Sequence, residues 1–169
     1  SESGVYSFTF TVTDGDDALV SQGYTVTVTG ADDAPTLNAV SAGTITEVTQ
    51  STATTDVGLS GTLTAADVDV ETLTFGVSGG TVTGTTVTKV GTYGTLTLNT
   101  STGAYSYTKT TAAIEALDVS ESGVDSFTFT VSDGDDALVS QGYTVTVTGA
   151  DDQPTLNTVA AGTIAEDRL

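Results

Sequence analysis

"SFTFTVSDGDDALVSQGYTVTVTG", residues 126–149, sets apolar and hydroxyl side chains in strict alternation. In Phe127 to Val131 and again in Tyr143 to Val147, aromatic and β-branched residues take every second place and Thr fills the places between. A period of two puts one kind of side chain on each face of an extended chain, so both segments read as half-buried strands. The same pattern occurs at Phe8 to Val12 and Tyr24 to Val28, and in Leu59 to Ala65, Leu73 to Val77, Thr86 to Val90, Thr95 to Leu98 and Tyr105 to Tyr107, with Gly, Asp and Asn turns between them. Only Ala112 to Leu117 breaks the rhythm: Ala113, Ile114 and Leu117 fall at helical spacing and predict one short helical turn. Short strands without βα alternation predict an all-β fold, an antiparallel β-sandwich of about seven or eight strands.

The deciding stretch also exists twice. "SESGVYSFTFTVTDGDDALVSQGYTVTVTGADDAPTLN" from Ser1 returns as "SESGVDSFTFTVSDGDDALVSQGYTVTVTGADDQPTLN" from Ser120, and Pro35, Ile45 and Glu47 map to Pro154, Ile164 and Glu166, a period of 119 residues. The chain therefore reads as a window on a tandem array. Residues 1–34 are the C-terminal strands of a preceding repeat, 35–153 one complete sandwich repeat, and 154–169 the first strand of a following one. A repeat of this length buries a core without disulfide staples. Residues 1–34 and 154–169 cannot cover both of their own faces, so they are expected to pair with neighbouring repeats or with copies of the same chain. Exchange of residues 1–34 into the sandwich of another molecule would build a head-to-tail fibre.

Charge narrows the function. Against 22 acidic residues stand three basic ones, Lys89, Lys109 and Arg168, for a net charge of −19. Such a surface repels nucleic acid and anionic lipid, and the partner it attracts is a cation. No apolar run approaches the roughly 18 residues of a membrane span, so membrane insertion is not expected. Ser1 opens without a Met or a basic, apolar leader, which reads as an interior piece of a longer protein. With neither His nor Cys, no hydroxyl has an imidazole base and no thiolate can serve as nucleophile, so an enzyme is not expected. A glycosidase pair of carboxylates would need a sugar cleft, and no Trp is present to floor one. A Lys-Asn crosslink would require Lys89 or Lys109 to meet Asn99 in the core, and the spacing does not favour it.

The carboxylates gather at strand ends. Asp14-Gly15-Asp16-Asp17 recurs as Asp133-Gly134-Asp135-Asp136, and Asp32-Asp33 recurs as Asp151-Asp152 just before a proline. Further groups are Asp67-Val68-Asp69-Val70-Glu71, and Glu47, Asp118 and Glu121. Two readings stand side by side. Asp and Gly make turns in most β-proteins; alternatively, clustered carboxylates repel one another until a hard, oxygen-seeking cation such as Ca²⁺ sits among them.

The stretch "YGTLTLNTSTGAYSYT", followed by "IEALD" and "DSFTFTVSDGDDALVSQGYTVTVTGADDQPTL", resembles the VCBS repeat of large bacterial surface proteins over essentially the whole period. More distantly the layout is similar to cadherin repeats. That resemblance implies an Ig-like/cadherin-like sandwich, an extracellular place on a bacterial cell surface, and Ca²⁺ shared between successive modules. Residue by residue, it makes Glu47 the acid of the first strand, Asp67 and Asp69 the Asp-x-Asp pair, Asp118 and Glu121 the counterpart of a Leu-Asp-Arg-Glu signal, and Asp133 the Ala-x-Asp aspartate. It implies an upstream ion site from Glu2, Asp32, Asp33, Asp67, Asp69 and Asp133, and a downstream one from Glu47, Asp118, Glu121, Asp151 and Asp152. The linker "GADDAP" lacks the Asn of cadherin linkers, and Val70-Glu71 stands where VCBS repeats often carry Gly-Asp.

Two functions from different classes follow. One is a structural extender, a Ca²⁺-rigidified segment of an adhesin stalk or fibre; the other is an Ig-like module whose loops bind carbohydrate or protein. Near-identical copies suit the extender, because a stalk gains from uniform units.

Overall fold

In a computed structural model, residues 3–16, 18–69, 71–135 and 138–166 are described. Strands β1 (Ser3–Val12) and β2 (Val20–Thr29) form a hairpin by themselves. Ten strands then build two five-stranded sheets. One runs β6 (Ser60–Thr62), β12 (Ala104–Lys109), β11 (Gly94–Asn99), β10 (Thr86–Val90) and β9 (Thr81–Thr83). The other runs β5 (Thr54–Val57), β4 (Gly43–Glu47), β14 (Val139–Thr148), β13 (Ser122–Ser132) and β8 (Thr74–Val77). A small pair, β3 (Thr36–Leu37) with β7 (Ala65–Ala66), closes one end, and α1 (Thr111–Ile114) is the single helical turn that the sequence predicts.

The alternation of Phe127 to Val147 places the core. Phe127, Phe129, Val131, Tyr143, Val145 and Val147 all point inward from β13 and β14, and Leu96, Leu98, Val87 and Tyr107 meet them from the opposite sheet in one continuous cluster. This is the all-β sandwich that the periodicity predicts. Tyr105 touches both Phe129 and Tyr143, with ring centroids 5.0 and 5.4 Å apart, and the Tyr143 hydroxyl donates to Gly58 O at 2.8 Å. Burial pushes the Tyr143 phenol up to about 12, and Tyr105 beside it adds to the rise.

Every neighbouring pair is antiparallel except one. β4 lies parallel to β14, in register from Gly43 beside Val145 to Thr46 beside Thr148. Parallel partners cannot be joined by a tight turn, and β4 and β14 are joined through nearly the whole repeat. Their pairing carries Glu47, at the end of β4, to the place where β14 runs out.

Alternation does not reveal two of the edge strands. β5 is Thr-Thr-Asp-Val and β9 is Thr-Val-Thr, both largely exposed, so they lack the apolar beat that marks an interior strand. The stretch from Leu59 to Ala65 divides into β6 and β7, which join different sheets. Residues 154–166, where the repeat register places the opening strand of a following unit, carry no strand. Their counterparts in β3 and β4 are held by β7, β14 and β5, which residues 154–166 do not meet.

Candidate metal centres at the two ends of the sandwich

β13 separates two acidic ends. Glu121 precedes its first residue and Asp133 follows its last, so with about 3.3 Å of rise per residue the ends lie roughly 40 Å apart.

At the upstream end three loops converge: the linker before buried Pro35, the loop after β7, and the turn between β13 and β14. Asp33 N donates to Asp69 Oδ2 at 2.8 Å, which ties the linker to the Asp-x-Asp loop, and Asp69 N donates to Asp67 Oδ1 at 2.7 Å, which shapes that loop from within. Asp32, Glu71 and Asp135 bring one carboxylate oxygen each to within 4.8 Å of one another. Burial raises Glu71 above the ordinary carboxylate range, and Asp32, Asp135 and Asp133 raise it further. Asp67 Oδ2 is buried without a hydrogen-bond donor.

The downstream end is built by β4, α1 and the exit of β14. Glu47, Glu115 and Asp152 form a second trio with oxygens within 4.8 Å of one another. Glu47 is 5% exposed; its Oε2 accepts from Ala150 N at 2.8 Å, and its Oε1 is buried without a donor. Glu115 Oε1 is likewise buried without a donor. Burial raises Glu115, and Glu47 and Asp152 add to the rise. Asp152 accepts from Gln50 N through a very short contact. Beside the trio a cleft of about 250 Å³ is lined by Glu115, Leu117, Asp118, Ala150, Asp151 and Asp152. Gly149 makes this convergence possible: a Cβ there would lie 2.6 Å from Leu117 Cβ and 2.7 Å from Asp118 O, so only glycine lets β14 leave so close to the α1 loop.

Of the residues expected as ligands, Asp32, Asp33, Asp67, Asp69 and Asp133 gather at the upstream end, and Glu47, Asp118, Asp151 and Asp152 at the downstream one. Glu121 accepts from Asp118 N at 3.0 Å and Asp118 Oδ1 from Val119 N at 2.7 Å, so both help to shape the loop. Glu2 lies outside the described residues. Glu71, Asp135 and Glu115 complete the trios without having been singled out as ligands. Glu71 and Asp135 sit in acidic clusters that the sequence displays, but Glu115 had only one signal. It lies in the Ala112 to Leu117 stretch that predicts a helical turn, three residues before Asp118.

The donor set fits a hard divalent cation. All the side-chain ligands are oxygens, several are held away from water without a hydrogen-bond donor, and no Lys or Arg is among them. An uncompensated buried carboxylate is costly, and a cation among three of them removes that cost in the way that Ca²⁺ sites do. Both lysines are engaged elsewhere: Lys109 pairs with Asp56 at 2.5 Å, and Lys89 donates to Gly79 O at 3.0 Å. Neither reaches Asn99, whose Oδ1 accepts from Ser101 N and Thr102 N in its own turn.

A two-sheet sandwich with a parallel β4–β14 pair defines an Ig-like type of module. The bacterial cadherin-like domain family matches residues 32–149, and the chain belongs to that family. No curated protein matches the chain.

Proposed function

We propose that this chain is a structural extender from a stalk or fibre of a bacterial surface adhesin, a VCBS-type repeat stiffened by Ca²⁺ at the junctions between modules. The observation that carries the reading is the placement of two carboxylate trios at opposite ends of the sandwich, each beside the place where the chain passes from one unit of the 119-residue period to the next. Bacterial cadherin-like domains are typically extracellular, where millimolar Ca²⁺ is at hand, and extracellular modules bind it with Kd of about 10⁻⁴–10⁻³ M.

The upstream ion would take Asp32 and Asp33 from the linker, Asp67, Asp69 and Glu71 from the loop after β7, and Asp133 and Asp135 from the β13–β14 turn. The downstream ion would take Glu47, Glu115, Asp118, Asp151 and Asp152. Bound there, Ca²⁺ offsets the mutual repulsion of these groups and fixes the linker against the sandwich, so that the angle between modules becomes stiff. The division of the chain supports this arrangement: residues 1–34 close one repeat, 35–153 form the next, and 154–169 open another.

Small-angle scattering of the whole chain, in calcium and in excess chelator, tests the reading. The radius of gyration and the melting temperature are expected to change together on chelation. If both stay fixed, the acidic clusters are turns and the extender reading loses its ion.

A further inference from the structure

The β1–β2 hairpin carries on its surface the face that β13–β14 buries. Phe8 pairs with Tyr24 and Val12 with Val20, just as Phe127 pairs with Tyr143 and Val131 with Val139. Phe129, Val131 and Val147 are 0% exposed, whereas their counterparts Phe10, Val12 and Val28 are 63, 66 and 52% exposed. A preformed apolar face of this kind takes the covering layer that its copy takes: a parallel strand along β2, an antiparallel strand along β1, and a second sheet across the top. Two sandwiches could supply that layer, one belonging to another repeat of the array, or residues 35–119 of a second copy of this chain.

Residues 1–34 and 120–153 differ at three positions, Tyr6/Asp125, Thr13/Ser132 and Ala34/Gln153, and only the first faces the core. Asp125 is 4% exposed and accepts three hydrogen bonds: from Thr92 N at 2.7 Å, Tyr93 N at 3.0 Å and the Tyr107 hydroxyl at 2.6 Å. The space around it is full. A Cβ on Gly91 would lie 2.2 Å from Asp125 Oδ2, and one on Gly94 2.4 Å from the Tyr107 ring. A Tyr6 ring put in this place would meet the 91–94 turn and Tyr107, and would take the carboxylate acceptor away from three buried donors.

We infer that Asp125 against Tyr6 is a pairing key: it bars the β1–β2 hairpin from this sandwich and reserves it for a different repeat, one with room and an acceptor for a phenol where this one has Gly91, Thr92 N, Tyr93 N and Tyr107. Uniform tandem copies risk exchanging their closing hairpins, which would tangle a stalk into branched aggregates. One inward-facing difference between adjacent copies, an unpaired polar group in every wrong pairing, prevents it. The inference rests on the tandem-array reading and not on calcium. A crosslink reports strand exchange and scattering in chelator reports the ion, so either can fail without the other.

The chain has no cysteine, which allows a clean reporter. Ser132 stands opposite Thr74 across β13 and β8, and Thr13 is its counterpart on the hairpin. In the full chain carrying Thr13→Cys and Thr74→Cys, intermolecular disulfides form when the hairpin of one molecule takes the place of β13–β14 in another. The protein is refolded from denaturant at high concentration, so that both hairpins compete, with Tyr6 retained, with Tyr6→Asp, and with Tyr6→Ala. Tyr6 lies outside the sandwich, so none of these changes touches its core. Tyr6→Asp is expected to raise crosslinked ladders on the order of tenfold or more, since one unpaired buried donor is worth about that factor. Tyr6→Ala, which removes the ring but supplies no acceptor, should stay near the parent. Equal crosslinking in the parent and Tyr6→Asp overturns the key, and so does an absence of ladders in Tyr6→Asp.

Discussion

Asp125 and Phe129 sit four residues apart on one buried face, and they hold the sandwich by different physics. Phe129→Ala opens a cavity under Tyr105 and Tyr143 and is expected to cost about 3–5 kcal/mol in denaturant unfolding. Asp125→Ala removes no comparable volume but strands three donors, at about 1–3 kcal/mol for each that water cannot reach. Tyr107→Phe, which removes one of those donors with its bond, should cost much less. The ion ligands behave in the opposite way: Asp67→Ala and Glu115→Gln should leave melting in chelator unchanged or raised while weakening calcium binding at one end only, as titration calorimetry reads it. Titration carries a sign as well. Glu71 and Glu115 are raised in the folded chain, so between the unfolded and folded values the native state holds the extra proton, and stability contributed by the protonated forms is lost as pH rises through that window. Without a divalent cation, melting should therefore improve as pH is lowered through that window, and added calcium should abolish the trend. These single residues were unequally legible. Phe129 announces itself by alternation, whereas Asp125 looks like a solvated acid in a strand, because two of its donors come from a turn some thirty residues away and the third, Tyr107, from β12 of the opposite sheet.

Among the elements, β13 and β14 do most to organise the repeat, and the pattern that gives them away is the one their hairpin copy shares. The edge strands β5 and β9 were not legible, since a Thr-rich strand gains its place from backbone pairing with a neighbour rather than from apolar side chains. The exit of β14 depends on Gly149, and Gly149→Val is expected to push the α1 loop away and separate Glu115 from Asp152. Calcium affinity at the downstream end should then fall with little change upstream. High pH probes the sheet interface. Tyr107 and Tyr143 are raised by burial, Tyr107 also by its bond to Asp125, so stability is intact below about pH 10, where free phenols ionise, and is lost as pH climbs through the folded values. Alkaline unfolding monitored by phenolate absorbance should be cooperative, with the buried tyrosines ionising as the sandwich opens.

At the scale of the whole molecule, residues 35–153 close around a buried core, whereas the apolar face of the β1–β2 hairpin is bare. Deletion of residues 1–34 should leave the melting temperature of the sandwich in chelator nearly unchanged, because β1 and β2 pair only with each other. The same deletion should lower the binding of a hydrophobic dye, because the exposed row of Tyr6, Phe8, Phe10 and Tyr24 goes with it.

The sequence by itself determined the all-β class, the inward face of each long strand, the period and the acidic character of the strand ends, because alternation, repetition and charge are properties of neighbours along the chain. Tertiary structure alone decided that β4 lies parallel to β14, that Glu115 and Glu71 stand with acids far away in sequence, and that Asp125 is a buried acceptor while Tyr6 is bare. Those facts depend on which distant segments meet, and nothing local in the chain encodes a meeting between residues thirty to a hundred positions apart.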